Sequence, residues 1–165
     1  MNMRTFTACV ATLLMAGMAG CKEHKTPVPQ ILNGDASIPA STLPMNPLSW
    51  RVVTSFANRN DHTMATLYGN DAAIDAARSG AATYPAGAVL SLVTWQQKED
   101  PHWFGGSIPA APLRVEFAQA SSGSEAERWT YSAFEGKPLH AVDTPAEAKT
   151  QRISFLTSQH AAAMP

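Results

Sequence analysis

Residue types that commonly carry chemistry are sparse in this 165-residue chain, which has five His and two Cys. His24, His62, His102, His140 and His160 stand far apart, and no two have the spacing of zinc ligands. Two Cys cannot build a four-thiolate site or a disulfide framework. There is no Gly-rich phosphate loop after a strand pattern, no Gly-x-Ser-x-Gly elbow and no His-Glu-x-x-His helix. Two places remain. Asp100-Pro101-His102-Trp103-Phe104 gathers aromatics beside a His, and reads either as a loop packed over the core edge or as the wall of a ligand pocket. His160 follows Ile153 and Leu156 at i, i+3 and i+7, which predicts one apolar helix face with His160 on it, as a packing residue or as a ligand.

Cys21 has a different chemistry. Arg4 precedes an apolar run from Phe6 to Met18, which ends in Met18-Ala19-Gly20-Cys21. The run predicts a secretory signal over residues 1–20, too short for a membrane-spanning stop-transfer helix. Small residues before Cys21 resemble the lipobox at which bacterial lipoproteins are acylated and cleaved. The alternative is an ordinary signal that happens to end near a Cys. On the lipoprotein reading Cys9 leaves with the signal and Cys21 carries the lipid, so the mature chain keeps no free thiol. By resemblance to Gram-negative lipoproteins, Lys22 after the Cys implies the outer membrane, facing the periplasm.

The chain carries 12 Lys+Arg against 13 Asp+Glu. Loss of Arg4 with the signal leaves 11 basic residues and a net charge of 11 − 13 = −2. That balance excludes a generally basic nucleic-acid binder. At 45% hydrophobic residues, the chain can bury a core of its own.

Residues 21–47 are rich in Pro: Thr26-Pro27-Val28-Pro29, Ile38-Pro39, Leu43-Pro44 and Asn46-Pro47. They read as a tether from the membrane, or, from Ile38 to Leu48, as a segment lying along the domain. A domain is expected over 48–165. Trp50–Phe56 and Thr63–Tyr68 read as strands, with a turn at Ala57–Asp61. Asn70 or Asp71 can cap a helix through Ala72–Arg78, closed by Gly80. Ala88–Trp95 reads as the central strand, and Gln96–Gly106 as a loop. Leu113, Val115 and Phe117 alternate with Arg114 and Glu116 in a half-exposed strand, and Trp129, Tyr131 and Ala133 mark another. Thr144-Pro145-Ala146-Glu147 reads as a capping box opening a helix over Pro145–Ala162. The fold class is α+β: a mostly antiparallel sheet of about five strands with one inserted helix and one C-terminal helix.

Trp50-Arg-Val-Val-Thr-Ser, Tyr68-Gly-Asn-Asp-Ala-Ala, Tyr84-Pro-Ala-Gly-Ala-Val-Leu and Val93-Thr-Trp95, in this order, resemble the cytochrome P-460 family from about Leu48 to His160. The resemblance implies a periplasmic, mainly β-sheet domain, often a homodimer. It also implies a link to haem. One branch oxidises hydroxylamine with a haem cross-linked to Lys, and cytochrome c-prime-beta binds nitric oxide or other small gases. Family members attach haem through Cys-x-x-Cys-His, where His ligates the iron. Here the matching segment is Leu156-Thr157-Ser158-Gln159-His160. The resemblance thus carries over His160 as a haem ligand, while Leu156 and Gln159 replace both Cys, so haem would be held without a thioether. No Lys lies in the central strand, Lys98 being the first beyond it, so hydroxylamine oxidation is not expected. Two classes follow: a membrane-anchored module binding haem or a small ligand non-covalently, or a non-haem envelope binding or structural module without catalytic activity.

Overall fold

The computed structural model describes residues 33–39, 41–81, 83–123 and 128–161. The expected signal over 1–20, Cys21 and the first part of the expected tether lie outside the described residues. Six strands and two helices follow in chain order: β1 Arg51–Asn58, β2 Thr63–Gly69, α1 Asp71–Ser79, β3 Val89–Glu99, β4 Ser107–Ala120, β5 Trp129–Glu135, β6 His140–Val142 and α2 Ala146–Thr157. The strands form one antiparallel sheet in sequence order. The α+β class therefore holds, with six strands in place of about five. No helix among the described residues is long and apolar enough to cross a membrane.

The turn from β2 into α1 explains one of the family-like motifs. Asn70 caps α1 by accepting from Ala73 N–H at 3.0 Å. The same oxygen accepts from Val89 N–H at 3.1 Å, and its amide donates to Gly87 O at 2.8 Å. One side chain thus ties the helix start to the start of β3. At Gly69 a Cβ would fall 3.1 Å from Ala73 Cβ, tighter than an ordinary contact, so Gly lets α1 approach this closely without the helix having to give way.

β3 and β4 are covered on both faces. Leu90, Leu92, Ala118 and Ala120 face α1 and α2, and pack with Leu67, Ile74 and Leu156. Val89, Val93, Trp95, Val115 and Phe117 point the other way, and cluster with Leu43 and Leu139. Ile38, Met45 and Trp50 pack against that second cluster, so the chain ahead of β1 lines this face. Trp95 Nε1 donates to Ala36 O at 3.0 Å. Each fully buried Leu or Val contributes about 1.5–3 kcal/mol.

Several elements differ from the sequence reading. β3 runs on to Glu99, so the loop is only Asp100–Gly106 and Lys98, expected beyond the central strand, lies within it, because its pairing with Ile108 extends the ladder. β4 begins at Ser107 despite Pro109 and Pro112. Its pairing with β3 shifts around Trp95, and no β5 partner reaches beyond Arg114, so neither Pro displaces a needed donor. β6 is three residues long, too short for an alternation to show.

The capping box is not formed. Pro145 holds extended backbone (ψ 146°), α2 starts one residue later, and Thr144 is left too far back to cap it. At its other end α2 stops at Thr157, before the expected Ala162, which lies outside the described residues. There Thr157 Oγ1 donates to Ile153 O at 2.9 Å, Ser158 Oγ to Phe155 O at 2.9 Å, and Gln159 Nε2 to the same carbonyl at 2.9 Å. Side chains take the last-turn carbonyls that further helical N–H groups would have used.

Truncating Leu90 to Ala should lower stability by about 2–5 kcal/mol in urea unfolding. The neighbouring Ser91 has a buried Oγ with no hydrogen-bond partner. Ser91→Ala should leave stability unchanged or raise it by up to about 1 kcal/mol in the same measurement.

Candidate functional site

β4 places a carboxylate where its pleat points at α2. The sequence reading set Arg114 and Glu116 toward solvent. Instead α2 lies across that face, and Glu116 is only 1% exposed. A carboxylate so placed needs charged partners. Arg152 supplies a two-point contact, with Nε to Oε1 at 2.8 Å and Nη2 to Oε2 at 2.7 Å. Tyr131 Oη donates to Oε1, and Arg114 Nε lies 3.6 Å from Oε2. Arg114 in turn donates through Nη1 to Glu135 and through Nη2 to Tyr131 Oη at 3.1 Å.

Local structure explains the convergence. In the β4–β5 register Arg114 faces Glu135, Glu116 faces Ala133 and Ala118 faces Tyr131. The small Ala133 leaves room for the carboxylate, and Tyr131 reaches it diagonally. On α2, Ala148, Arg152 and Leu156 recur every four residues and share a face. Leu156 enters the core while Arg152, one turn earlier, meets Glu116.

Above this network opens a cleft of about 550 Å³, lined by Thr94, Arg114, Glu116, Glu135, Asp143 and Arg152 among others. Its floor is internally satisfied. Its mouth mixes signs: both guanidiniums stay about one-third exposed, and Glu135 and Asp143 more so. The Arg152 guanidinium is held charged to higher pH by its hydrogen bonds to Glu116, against the opposing effect of burial. Burial foremost, and then the hydrogen bond to Glu116, raises the Tyr131 phenol above the ordinary value of 10.0. Such a cleft offers N–H donors and carboxylate acceptors a few ångströms apart.

The residues singled out in the sequence lie elsewhere. His160 is three residues past the end of α2 and exposed, so it does not share a helix face with Ile153 and Leu156. It borders neither the cleft nor a smaller hollow of about 300 Å³ lined by Tyr84, Trp129, Ser154, Thr157 and Ser158 among others. His62 sits in the β1–β2 turn, His102 in the β3–β4 loop and His140 at the start of β6, all exposed. Cys21 and His24 lie outside the described residues. Among the described residues no group of three or more His, Cys, Asp or Glu could hold a metal ion. Trp103 and Phe104 are exposed and do not pack over the core; with Asp100, Pro101 and His102 they wall a separate open hollow of about 640 Å³ that shares no lining residue with the cleft. Glu116, Arg114, Tyr131 and Arg152 were not expected as a site. Their signal was an acid inside the apolar run Val115–Ala118, with a basic residue two positions before it.

An antiparallel meander carrying two helices on one face, with a polar cleft where the second helix crosses it, makes this an α+β domain. The chain matches the family model for cytochrome P460 over residues 47–153, and it belongs to the cytochrome P460 family, a haem-related group of domains. A search of curated proteins finds no match to it. The match ends before Leu156–His160. The residues there do not fit a haem ligated by His160 inside the domain. Leu156, in place of the first Cys, is fully buried in the core, and the imidazole lies out in solvent.

His160→Ala should change stability by no more than about 0.5 kcal/mol in urea unfolding. Arg152→Met, which leaves Glu116 short of its main partner, should cost about 3 kcal/mol. Because the folded chain holds the Tyr131 proton to higher pH than the unfolded chain, its contribution is complete below 10.0 and is lost as pH rises through the folded value. Burial also raises Tyr68 and Tyr84. Stability should therefore fall on the alkaline side, and unfolding curves of Tyr131→Phe across that range should show a shallower fall.

Proposed function

We propose that this chain is a lipoprotein of the bacterial cell envelope, acylated at Cys21 and facing the periplasm from the outer membrane. Its cytochrome P460 domain binds a small polar ligand in the cleft over Glu116, and binds no haem through His160. The cleft carries this reading. A buried carboxylate held by two arginines and a tyrosine is a costly way to fill a core, and apolar residues of similar volume would stabilise the fold as well. Here the costly network floors an open, mixed-charge cleft rather than a sealed interior. Clefts with a few convergent polar groups are the usual form of small-molecule sites. Donors from Arg114 and Arg152 beside acceptors from Glu135 and Asp143 suit a ligand that carries both signs of charge.

Membership of the family supports the second reading, a haem held without thioether bonds. One preparation separates the two. Mature protein extracted from membranes should show an aromatic-only absorbance spectrum, and added haemin should give no Soret change that depends on His160. A panel of small zwitterions should contain members that raise the melting temperature of native protein. The shift should shrink in Glu135→Gln, whose side chain sits at the cleft mouth. A Soret band that moves in His160→Ala would establish the haem reading instead. A panel that stabilises native and Glu135→Gln protein equally would remove the cleft as the binding site.

A further inference from the structure

The β3–β4 hairpin runs past its neighbours. β2 pairs with β3 only to Gln96, with Gln97 N–H reaching His62 O at 2.8 Å, and β5 with β4 only to Arg114, whereas Lys98–Ile108 and Glu99–Ser107 are rungs of β3 and β4 alone. At its end the Asp100–Gly106 loop leaves Trp103 74% exposed and Phe104 fully exposed. Large aromatics together at a loop tip run against the tendency to bury such surface. The loop is tied to itself. His102 N–H donates to Asp100 Oδ1 at 2.8 Å, Gly106 N–H to Trp103 O at 2.9 Å, and Asp100 N–H to Gly106 O at 3.0 Å. Gly105 has φ 73°, and a Cβ at Gly106 would fall 3.0 Å from Trp103 O. A turn closed by its own backbone, at positions that need Gly, holds two aromatic side chains outward.

The chain's entry into the domain points to what receives them. Asn33 Nδ2 donates to Pro109 O, and Asp35 pairs with Lys98. The first described residues therefore lie against the last rungs of this same hairpin, about 10 Å from its tip at ~3.3 Å per residue. Cys21 and Asn33 are 33 − 21 = 12 positions apart. That span is at most ~40 Å even when fully extended. A bilayer that holds an acylated Cys21 is thus within reach of the tip. Trp and Phe favour the layer between headgroups and acyl chains. Residues 99–106 include Glu99 and Asp100 but no Lys or Arg, so the tip suits a zwitterionic lipid surface better than an anionic one.

We infer that Trp103 and Phe104 insert into the interfacial layer of the membrane to which Cys21 is acylated. They form a second attachment point and fix the domain's orientation on the lipid surface. This inference rests on the acylation proposed above.

The test uses the full mature chain, extracted from membranes and reconstituted in phosphatidylcholine–phosphatidylethanolamine vesicles that carry a lipid with a shallow spin-label quencher. Native protein should show a blue-shifted component of tryptophan emission that the label quenches. That component should be lost in Trp103→Phe and reduced in Phe104→Ser, while all three proteins float with the vesicles. Protein that floats but is unquenched, or quenching that persists in Trp103→Phe, overturns the inference and leaves the anchor standing. An unquenched protein with a dimer mass that Trp103→Ser with Phe104→Ser reduces to a monomer shows the tip buried in a second copy, and also overturns it. Absence of acyl mass on Cys21 together with loss of flotation removes the anchor and the inference with it.

Discussion

Burial of β3 and β4 on both faces is the constraint on which the rest of the structure depends. A strand with one wet face needs apolar residues only at alternate positions, but here every residue from Val115 to Ala118 is buried. Two separate covers are therefore required. The helices supply one. Leu43, with Ile38 and Met45 packed around the same cluster, supplies much of the other. The described chain ahead of β1 is part of the fold for this reason, and its Pro residues suit an irregular cover of bends and two 3-10 turns that has no strand partner to satisfy.

The same constraint makes Glu116 consequential. On a strand with one wet face it would be an ordinary solvated acid. Under α2 it must be paired, and the pairing recruits Arg114 from its own strand, Tyr131 from β5 and Arg152 from α2. The network thereby specifies how α2 crosses the sheet. An apolar helix face can slide by a turn with modest loss, whereas a guanidinium two-point contact fixes register and distance.

Legibility in the sequence followed the range of the forces involved. The β1–β2 hairpin, the Asn70 cap and the Gly80 stop are local devices, and the residues that form them are adjacent in the chain. β6 is recruited by pairing with Ala133–Glu135 and has no pattern of its own. The Thr144-Pro145-Ala146-Glu147 signal failed because Pro145 keeps extended backbone ahead of the helix. The polar site was illegible for a long-range reason. Glu116 and Arg152 are 36 residues apart, and nothing local shows that α2 covers the outward face of β4. The family resemblance identified the domain, but its haem position did not carry over. Where Cys, Cys and His would stand, Leu156 completes the core, Gln159 joins Thr157 and Ser158 in closing the helix end, and His160 is released to solvent.

The cleft and the aromatic tip belong to one hairpin, and this links the two proposals mechanically. Thr94 and Arg114 form a rung of β3–β4 that borders the cleft, and Glu99 closes the hairpin five residues further along β3. At ~3.3 Å per residue the two are about 17 Å apart along a rigid pair of strands. Asn33, the first described residue, lies against the same arm. With the tip in the lipid interface, the cleft would open within a few nanometres of the membrane surface at a height set by the hairpin. A tether alone would leave that height free. A ligand released at or drawn from the bilayer surface would then meet Arg114, Arg152 and Glu135 in a defined orientation.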